Sequence, residues 1–254
     1  MQDVKKMPWN SQKLQKRSTM PNLYLIPTPL AKGVEHHGLP ESTLTTVRSI
    51  DQFIVESQAM AQGFLQWVQH PTPDYQRTHR ILNKKTPPEE IFSLMELFQH
   101  GDVGYFSEAG APAVADPGAT LVRMAHDKGI QVIPLVGPSS ILMALMASGM
   151  NGQSFTFHGY LPIDQSARKR ALQTLESASS HDQSTHLFIE TPHRTEAVLS
   201  DCKTACKGST RVCVAASLTM SEERIVSKPL ELWTTEEISS FSNQPAVFCL
   251  EASP

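Results

Sequence analysis

The feature that most constrains this chain is the stretch 103–118, in which an apolar run leads directly into a loop of small residues. The run 103–107 predicts a buried strand, and the Ala-Gly-Ala-Pro loop at 109–112 follows it. Asp116 and Pro117 are expected to be the N-cap and first residue of a helix, because Asp accepts a free N–H and Pro lacks one. With a stop at Gly129 and a strand at 130–136, the stretch predicts a strand–loop–helix–strand unit.

The small-residue loop around Gly110 has two possible roles. At the carboxyl end of a strand in an open α/β sheet, a loop without bulky side chains lets a ligand contact the backbone. The alternative is an ordinary tight connection between strand and helix. The sequence contains neither GxGxxG nor GxxxxGK[ST], which excludes the usual dinucleotide and Walker-type phosphate loops.

Composition indicates an ordinary globular protein. The 254 residues are 40% hydrophobic and 19% charged with net charge −3, so bulk charge favours neither nucleic acid nor membrane. With no apolar run of about 18 residues and no signal-like N-terminus, we expect a cytoplasmic protein without membrane contact. The four cysteines lack zinc-site spacing, which predicts reduced thiols and no metal. Residues 1–20 are basic and polar, and are expected to be a flexible extension, either solvated or RNA-binding.

The order of predicted elements indicates an α/β protein with two domains. The N-terminal domain, 21–136, is expected to have a mostly parallel sheet with helices on both faces, from strands at 22–27, 52–56, 103–107 and 130–136 and helices at 42–49, 59–68, 89–99 and 117–128. Residues 70–88 are expected to form a loop. The C-terminal domain, 137–254, is expected to have a mixed sheet, from strands at 155–158, 185–190, 211–216 and 246–250 and helices at 139–148, 164–177, 194–205 and 235–241, with the segment 224–228 left unassigned.

Three further segments carry candidate site residues. Ser139 and Ser140 begin a helix after Gly-Pro; they could bind a polar ligand edge, or Ser139 could be a helix cap. Glu190, His193 and Arg194 follow a strand; they could orient a hydroxyl, or Glu190 could cap the next helix and pair with Arg194. The basic run 168–170, including Arg168 and Lys169, is either a solvated helix face or a phosphate-binding patch.

Five ordered segments together resemble motifs of the tetrapyrrole methylase superfamily of S-adenosylmethionine-dependent (SAM-dependent) methyltransferases. The nearest branch is that of the small-subunit (16S) ribosomal RNA 2′-O-ribose cytidine methyltransferases. Residues 107–118 resemble its S-D-A-G-T-P-x-x-x-D-P-G run, and 134–149 its P-x-P-G-P-S run. Residues 157–162, 189–194 and 217–223 resemble F-x-G-F-L-P, Y-E-A-P-H-R and E-L-T-K-x-x-E-E.

The resemblance implies that SAM is folded into a cleft between two α/β domains, usually in a homodimer. By position in the motifs, the implied donor contacts are Leu30, Gly110, Ala111, Pro112, Val114, Ser139, Ser140, Ile189, Glu190, Ala215, Pro245 and Ala246. Glu190 is the first candidate for the base that accepts the hydroxyl proton, and His193 is the second. Arg168, Lys169 and Arg194 are candidate substrate contacts, with ribosomal RNA or the small ribosomal subunit as the expected partner.

The chain departs from the family mainly on the acceptor side. Where the branch has C-E-D-T-R, residues 55–59 read Val-Glu-Ser-Gln-Ala, and Glu108 and Ala111 replace Asp and Thr in the glycine loop. Residues 70–88 match no motif, so the chain resembles a shortened, divergent member. RNA ribose methylation is the first functional hypothesis. A small or tetrapyrrole-like acceptor, and a SAM-binding module with little catalysis, are the alternatives.

Overall fold

The computed structural model describes residues 21–34 and 38–253, so the predicted extension at 1–20 lies outside the described residues. The described chain forms two five-stranded sheets flanked by helices, which confirms the predicted α/β class. Within these ranges, every helix is too short or too polar to cross a membrane.

The first sheet is entirely parallel, with strand order β3-β2-β4-β1-β5. Its strands are β1 (Asn22–Leu25), β2 (Gln52–Val55), β3 (Thr78–Ile81), β4 (Val103–Phe106) and β5 (Gln131–Pro134). Its helices are α1 (Glu41–Val47), α2 (Gln58–Trp67), α3 (Pro88–Leu94) and α4 (Gly118–Asp127). This confirms the predicted parallel sheet.

Alternate side chains of the central strands point to opposite faces, and each face has its own apolar core. On β2, Ile54 packs with α3 and α4, whereas Phe53 and Val55 pack with α1 and α2. Because both faces of the central strands are buried, β2 and β4 are mostly apolar, and helices cover both sides of the sheet as predicted.

The expectation that residues 70–88 form a loop is wrong, because they contain β3 and a 3₁₀ turn at Asp74–Gln76. β3 is the edge strand and pairs only with β2. Its sequence, Thr-His-Arg-Ile, is polar and partly exposed, so it lacks the apolar alternation that signals a strand.

The second sheet is mixed, with strand order β6-β7-β10-β8-β9. Its strands are β6 (Phe155–Tyr160), β7 (Thr185–Glu190), β8 (Arg211–Ala216), β9 (Arg224–Pro229) and β10 (Ala246–Glu251). Only β6 and β7 are parallel, and the other pairs are antiparallel. The helices are α5 (Ser140–Ser148), α6 (Gln165–Asp182), α7 (Thr195–Ala205) and α8 (Thr235–Ser239). A mixed sheet was expected, and the structure confirms it.

The start of α4 differs from the prediction by one residue. Pro117 is the N-cap and the helix begins at Gly118, so Asp116 lies one position earlier than expected. Asp116 still accepts a helical N–H, with Oδ1 at 2.7 Å from the Gly118 nitrogen. It also accepts from the Tyr105 hydroxyl at 2.9 Å and from the Ala113 N–H at 2.7 Å. One carboxylate therefore connects strand, loop and helix.

The start of α4 also lies against the ring of Tyr105. A Cβ added at Gly118 would lie 2.1 Å from Cε1 of that ring, far inside van der Waals contact. Tyr105 is fully buried, so its ring has little room to move. The residue at position 118 must therefore lack a side chain if the loop is to keep this position.

We expect Gly118→Ala to lower the free energy of unfolding by about 1–3 kcal/mol, because the extra methyl overpacks the contact with Tyr105. Urea denaturation followed by circular dichroism measures the change. Gly63→Ala is the matched control: Gly63 is exposed on α2 with no neighbouring atom within 4 Å of its Cβ position, so the variant should be neutral or stabilising. Equal stability of Gly118→Ala and the wild type would contradict the close contact.

Candidate active site

A pocket of about 650 Å³ lies between the carboxyl edge of the first sheet and the second sheet. The pocket is lined by residues that follow the carboxyl end of each of the five parallel strands. They include Leu30, Glu56, Lys84, Ser107–Ala111 and Ser139–Ile141. The opposite wall comes from the ends of β6, β7 and β8 and the start of β10. The volume is within the range of small-molecule sites, and the carboxyl edge is where open α/β sheets bind ligands.

The loop after β1 and the small-residue loop after β4 are held together by backbone hydrogen bonds. The Thr28 N–H donates to the Gly110 carbonyl at 3.0 Å, and the Gly110 N–H donates to the Thr28 carbonyl at 3.1 Å. Gly110 has φ +74°, and an added Cβ would lie 3.1 Å from Cδ2 of Leu30. Glycine is therefore favoured at this position, because a side chain would be strained by the backbone and crowded by Leu30.

Unusual backbone conformations concentrate around the pocket. Of the seven non-glycine residues with positive φ in the described chain, Ala113, Ala115, Ser217 and Thr219 lie on the loops after β4 and β8, which border it. Each such conformation costs of order 1–3 kcal/mol and persists where the surrounding structure imposes it. Strain of this kind is typical of ligand-binding loops.

The pocket has carboxylates along one wall and lysines at one rim. Glu56, Glu108 and Asp116 line the wall formed by the first sheet, and Lys84 and Lys85 lie on the loop after β3. Burial raises the pKa of Glu56, and the negative charges of Asp116 and Glu108 raise it further. Two interactions partly oppose this rise: the Glu108 N–H donates to the Glu56 carboxylate at 2.9 Å, and Lys84 contributes a positive charge. Among the described residues, no group of three or more His, Cys, Asp or Glu side chains is arranged to hold a metal ion.

Most residues that the resemblance implied as donor contacts line this one pocket. They are Leu30, Gly110, Ala111, Val114, Ser139, Ser140, Ile189, Glu190, Ala215, Pro245 and Ala246. Pro112 is the exception, because it is buried behind the loop and does not line the pocket. Ser139 has the alternative role as well: its hydroxyl accepts the Leu142 N–H at 3.5 Å as the N-cap of α5.

Glu190 is buried at the end of β7 and is engaged on both oxygens. Its Oε1 accepts from the Thr191 N–H at 2.7 Å and hydroxyl at 3.1 Å. Its Oε2 lies 3.0 Å from Nη2 of Arg194, so the two groups form an ion pair, although their geometry is not that of a hydrogen bond. The pairing of Glu190 with Arg194, which was one of the two interpretations of this segment, is therefore present, although Glu190 also lines the pocket. His193 is exposed and does not line it.

Arg168 and Lys169 do not lie at the pocket. The Arg168 side chain is 6% exposed and donates from Nη2 and Nε to Oδ2 of buried Asp201, at 2.6 and 2.9 Å. Its Nη1 donates to the Ile163 carbonyl at 2.7 Å, and Lys169 Nζ lies 3.5 Å from Asp201 Oδ1. Arg168 therefore forms a buried ion pair between α6 and α7. It belongs neither to a solvated helix face nor to a phosphate-binding patch, which were the two interpretations of the basic run.

Sequence reasoning missed the pocket residues Glu56, Lys84, Lys85 and Tyr160 as site candidates. Glu56 directly follows β2, so the rule that parallel strand ends converge on a ligand could have found it. The lysines depend on recognising β3. Tyr160 lies in the segment that resembles F-x-G-F-L-P, but nothing in the sequence shows that it faces the pocket.

Solved structures of low sequence identity share the fold. Diphthine synthase superposes with a TM-score of 0.65 at 15% identity, over 91% of this chain and 89% of the other. Cobalt precorrin-4 methyltransferase superposes with a TM-score of 0.59 at 14% identity, over 94% and 98%. The architecture is thus that of the tetrapyrrole methylase fold.

The family model for Tetrapyrrole (Corrin/Porphyrin) Methylases matches residues 42–232. The ribosomal RNA small subunit methyltransferase I of Vibrio cholerae is 31% identical over 86% of this chain and 75% of its own length. The protein of the same name from Bacillus subtilis is 28% identical over 92% and 75%. The chain therefore belongs to the tetrapyrrole methylase family, and is a SAM-dependent methyltransferase.

If Arg168 is a packing residue, Arg168→Met should lower the free energy of unfolding by about 3–5 kcal/mol, because it leaves the buried Asp201 charge without its main partner. Denaturant titration measures this loss. The double variant Arg168→Met with Asp201→Leu should recover much of it, because both charges are then removed. A stable Arg168→Met protein with impaired substrate binding would instead place Arg168 in substrate recognition.

Proposed function

We propose that this chain transfers the methyl group of SAM to the 2′-hydroxyl of a ribose in small-subunit ribosomal RNA. The donor half is supported by the pocket, on which residues of all five family-like motifs converge although the motifs are far apart in the sequence. The acceptor half is supported by the names of the curated relatives, which are ribosomal RNA methyltransferases.

The pocket suits SAM in shape and charge. Its small residues, Gly110, Ala111, Ala215 and Ala246, leave room for a nucleoside to lie against backbone groups. The donor also carries a positive sulfonium, which the neighbouring carboxylates of Glu56, Asp116 and Glu190 favour electrostatically. The residues that would hold it are Leu30, Gly110, Ala111, Val114, Ser139, Ser140, Ile189, Glu190, Ala215, Pro245 and Ala246.

Methyl transfer from a sulfonium is an in-line displacement. The acceptor oxygen forms a bond to the methyl carbon while the carbon–sulfur bond breaks, and the hydroxyl proton passes to a base. The protein's main task is to align the two groups at about 3 Å in a site that excludes water. Glu190 is the proposed base, because its carboxylate lines the pocket, and His193 is the second candidate.

The alternatives concern the acceptor. The structural neighbours include cobalamin methyltransferases, which keeps a small tetrapyrrole-like acceptor as the alternative substrate. A donor-binding module with little catalysis is the alternative of another class, suggested by the altered residues 55–59. By the resemblance we also propose a homodimer, and an RNA substrate would place the reaction in the cytoplasm.

The donor site is tested by calorimetric titration with S-adenosylhomocysteine, which the wild type should bind. Gly110→Ala should weaken this binding roughly tenfold, because the left-handed backbone penalises a side chain by about 1–2 kcal/mol and the loop shifts in the pocket. Gly149→Ala is the matched control, since Gly149 has φ +71° at the end of α5 but lies outside the pocket. Failure of the wild type to bind would overturn the donor assignment.

The acceptor and base are tested on small-subunit ribosomal RNA from a strain that lacks the gene, with mass analysis of the product nucleosides. The wild type should form a 2′-O-methylribonucleoside, and Glu190→Gln should bind S-adenosylhomocysteine normally but turn over at least ~10²-fold more slowly. Arg194→Gln is the control that breaks the ion pair and keeps the carboxylate. An equal loss in both variants would assign Glu190 to structure, and methylation of a small acceptor only would overturn the RNA assignment.

A further inference from the structure

The loop after β3 matches no family motif, yet it forms one rim of the pocket. Asn83, Lys84 and Lys85 all line this rim. The loop is closed by two hydrogen bonds: the Asn83 N–H donates to the Thr86 hydroxyl, and the Lys85 N–H donates to Asn83 Oδ1, each at 2.9 Å. The backbone of both lysines is thereby fixed, and their side chains extend from a defined position.

An exposed aromatic residue faces this loop from the other wall. Tyr160 ends β6, lines the pocket and is 53% exposed, so its ring is accessible to a ligand. The ammonium of Lys84 lies 6.0 Å from the centre of the Tyr160 ring, so the two sheets approach each other at this point. A planar group that entered the pocket here would meet the tyrosine ring and the lysine together.

The charges separate the rim from the interior. Lys84 and Lys85 are exposed and are the cationic side chains among the described residues that line the pocket, whereas Glu56 and Asp116 on the same wall are partly buried. An anion is repelled by the carboxylates and attracted by the lysines, so a phosphate would remain at the rim while an uncharged hydroxyl entered. A phosphodiester chain with one ribose turned inward has this distribution of charge.

We propose that Lys84, Lys85 and Tyr160 form a nucleotide clamp, in which the lysines hold phosphates that flank the target ribose and Tyr160 stacks on a base. This clamp rests on the proposed function and specifies its substrate as unpaired RNA, because only an unstacked base can reach an aromatic side chain. Lysine–phosphate contacts with an interleaved aromatic ring are the combination that binds single strands.

The clamp is tested by fluorescence anisotropy of a short fluorescein-labelled oligocytidylate bound to the full chain, with and without S-adenosylhomocysteine. Affinity for RNA falls as salt rises, so log affinity against log salt has a negative slope. The double variant Lys84→Ala/Lys85→Ala should reduce the magnitude of this slope by about 0.7 for each phosphate that the lysines no longer neutralise. Tyr160→Ala should weaken binding roughly tenfold without changing that slope, and Tyr160→Phe should bind like the wild type, because it keeps the ring.

The matched control for charge is Lys128→Ala/Lys207→Ala, two exposed lysines outside the pocket. If this control lowers the salt slope as much as the clamp variant, or if Tyr160→Ala binds normally, the clamp is overturned and the methyltransferase proposal stands. A wild type that binds S-adenosylhomocysteine but no RNA overturns the clamp together with the RNA acceptor. RNA binding that depends on these residues in a protein unable to bind S-adenosylhomocysteine supports the clamp and overturns the donor site.

Discussion

The Asp116 carboxylate is the interaction on which the candidate site depends. It accepts hydrogen bonds from the core residue Tyr105, from Ala113 in the loop and from Gly118 at the start of α4. Ala113 and Ala115 adopt strained backbone conformations between these anchors. Hydrogen bonds to an ionised acceptor are stronger than neutral ones, so this carboxylate offsets part of the strain. The loop is consequently ordered before any ligand arrives, which lowers the entropic cost of binding.

The parallel topology of the first sheet determines where the ligand-binding pocket forms. All five strands end at the same edge, so loops that are distant in sequence share one pocket, and the second sheet supplies the other wall. Within the pocket the floor is mostly small side chains and backbone, while charge is found on the walls. This division fits a donor whose nucleoside is held through its shape, while the donor's sulfonium and the acceptor are selected through charge.

The sequence predicted those parts of the fold that depend on local patterns. The apolar strands, the parallel sheet and the left-handed residue Gly129 after α4 all follow from periodicity and turn residues. β3 could not be found in this way, because an edge strand with one neighbour needs no apolar pattern. The burial of Arg168 also escaped prediction, since its partner Asp201 is 33 residues away and is brought near by the packing of α6 on α7. The motif resemblance supplied eleven of the residues that line the pocket, but not the orientation of Tyr160.

The position of β10 has a consequence for synthesis on the ribosome. β10 is the last strand in the sequence, but in the sheet it lies between β7 and β8. Both of the strands that it joins are therefore translated before it. Until then the pair β6-β7 and the hairpin β8-β9 expose unpaired edges to the surroundings. The nascent chain therefore completes its second sheet, and with it the Pro245–Val247 wall of the pocket, in a single late insertion.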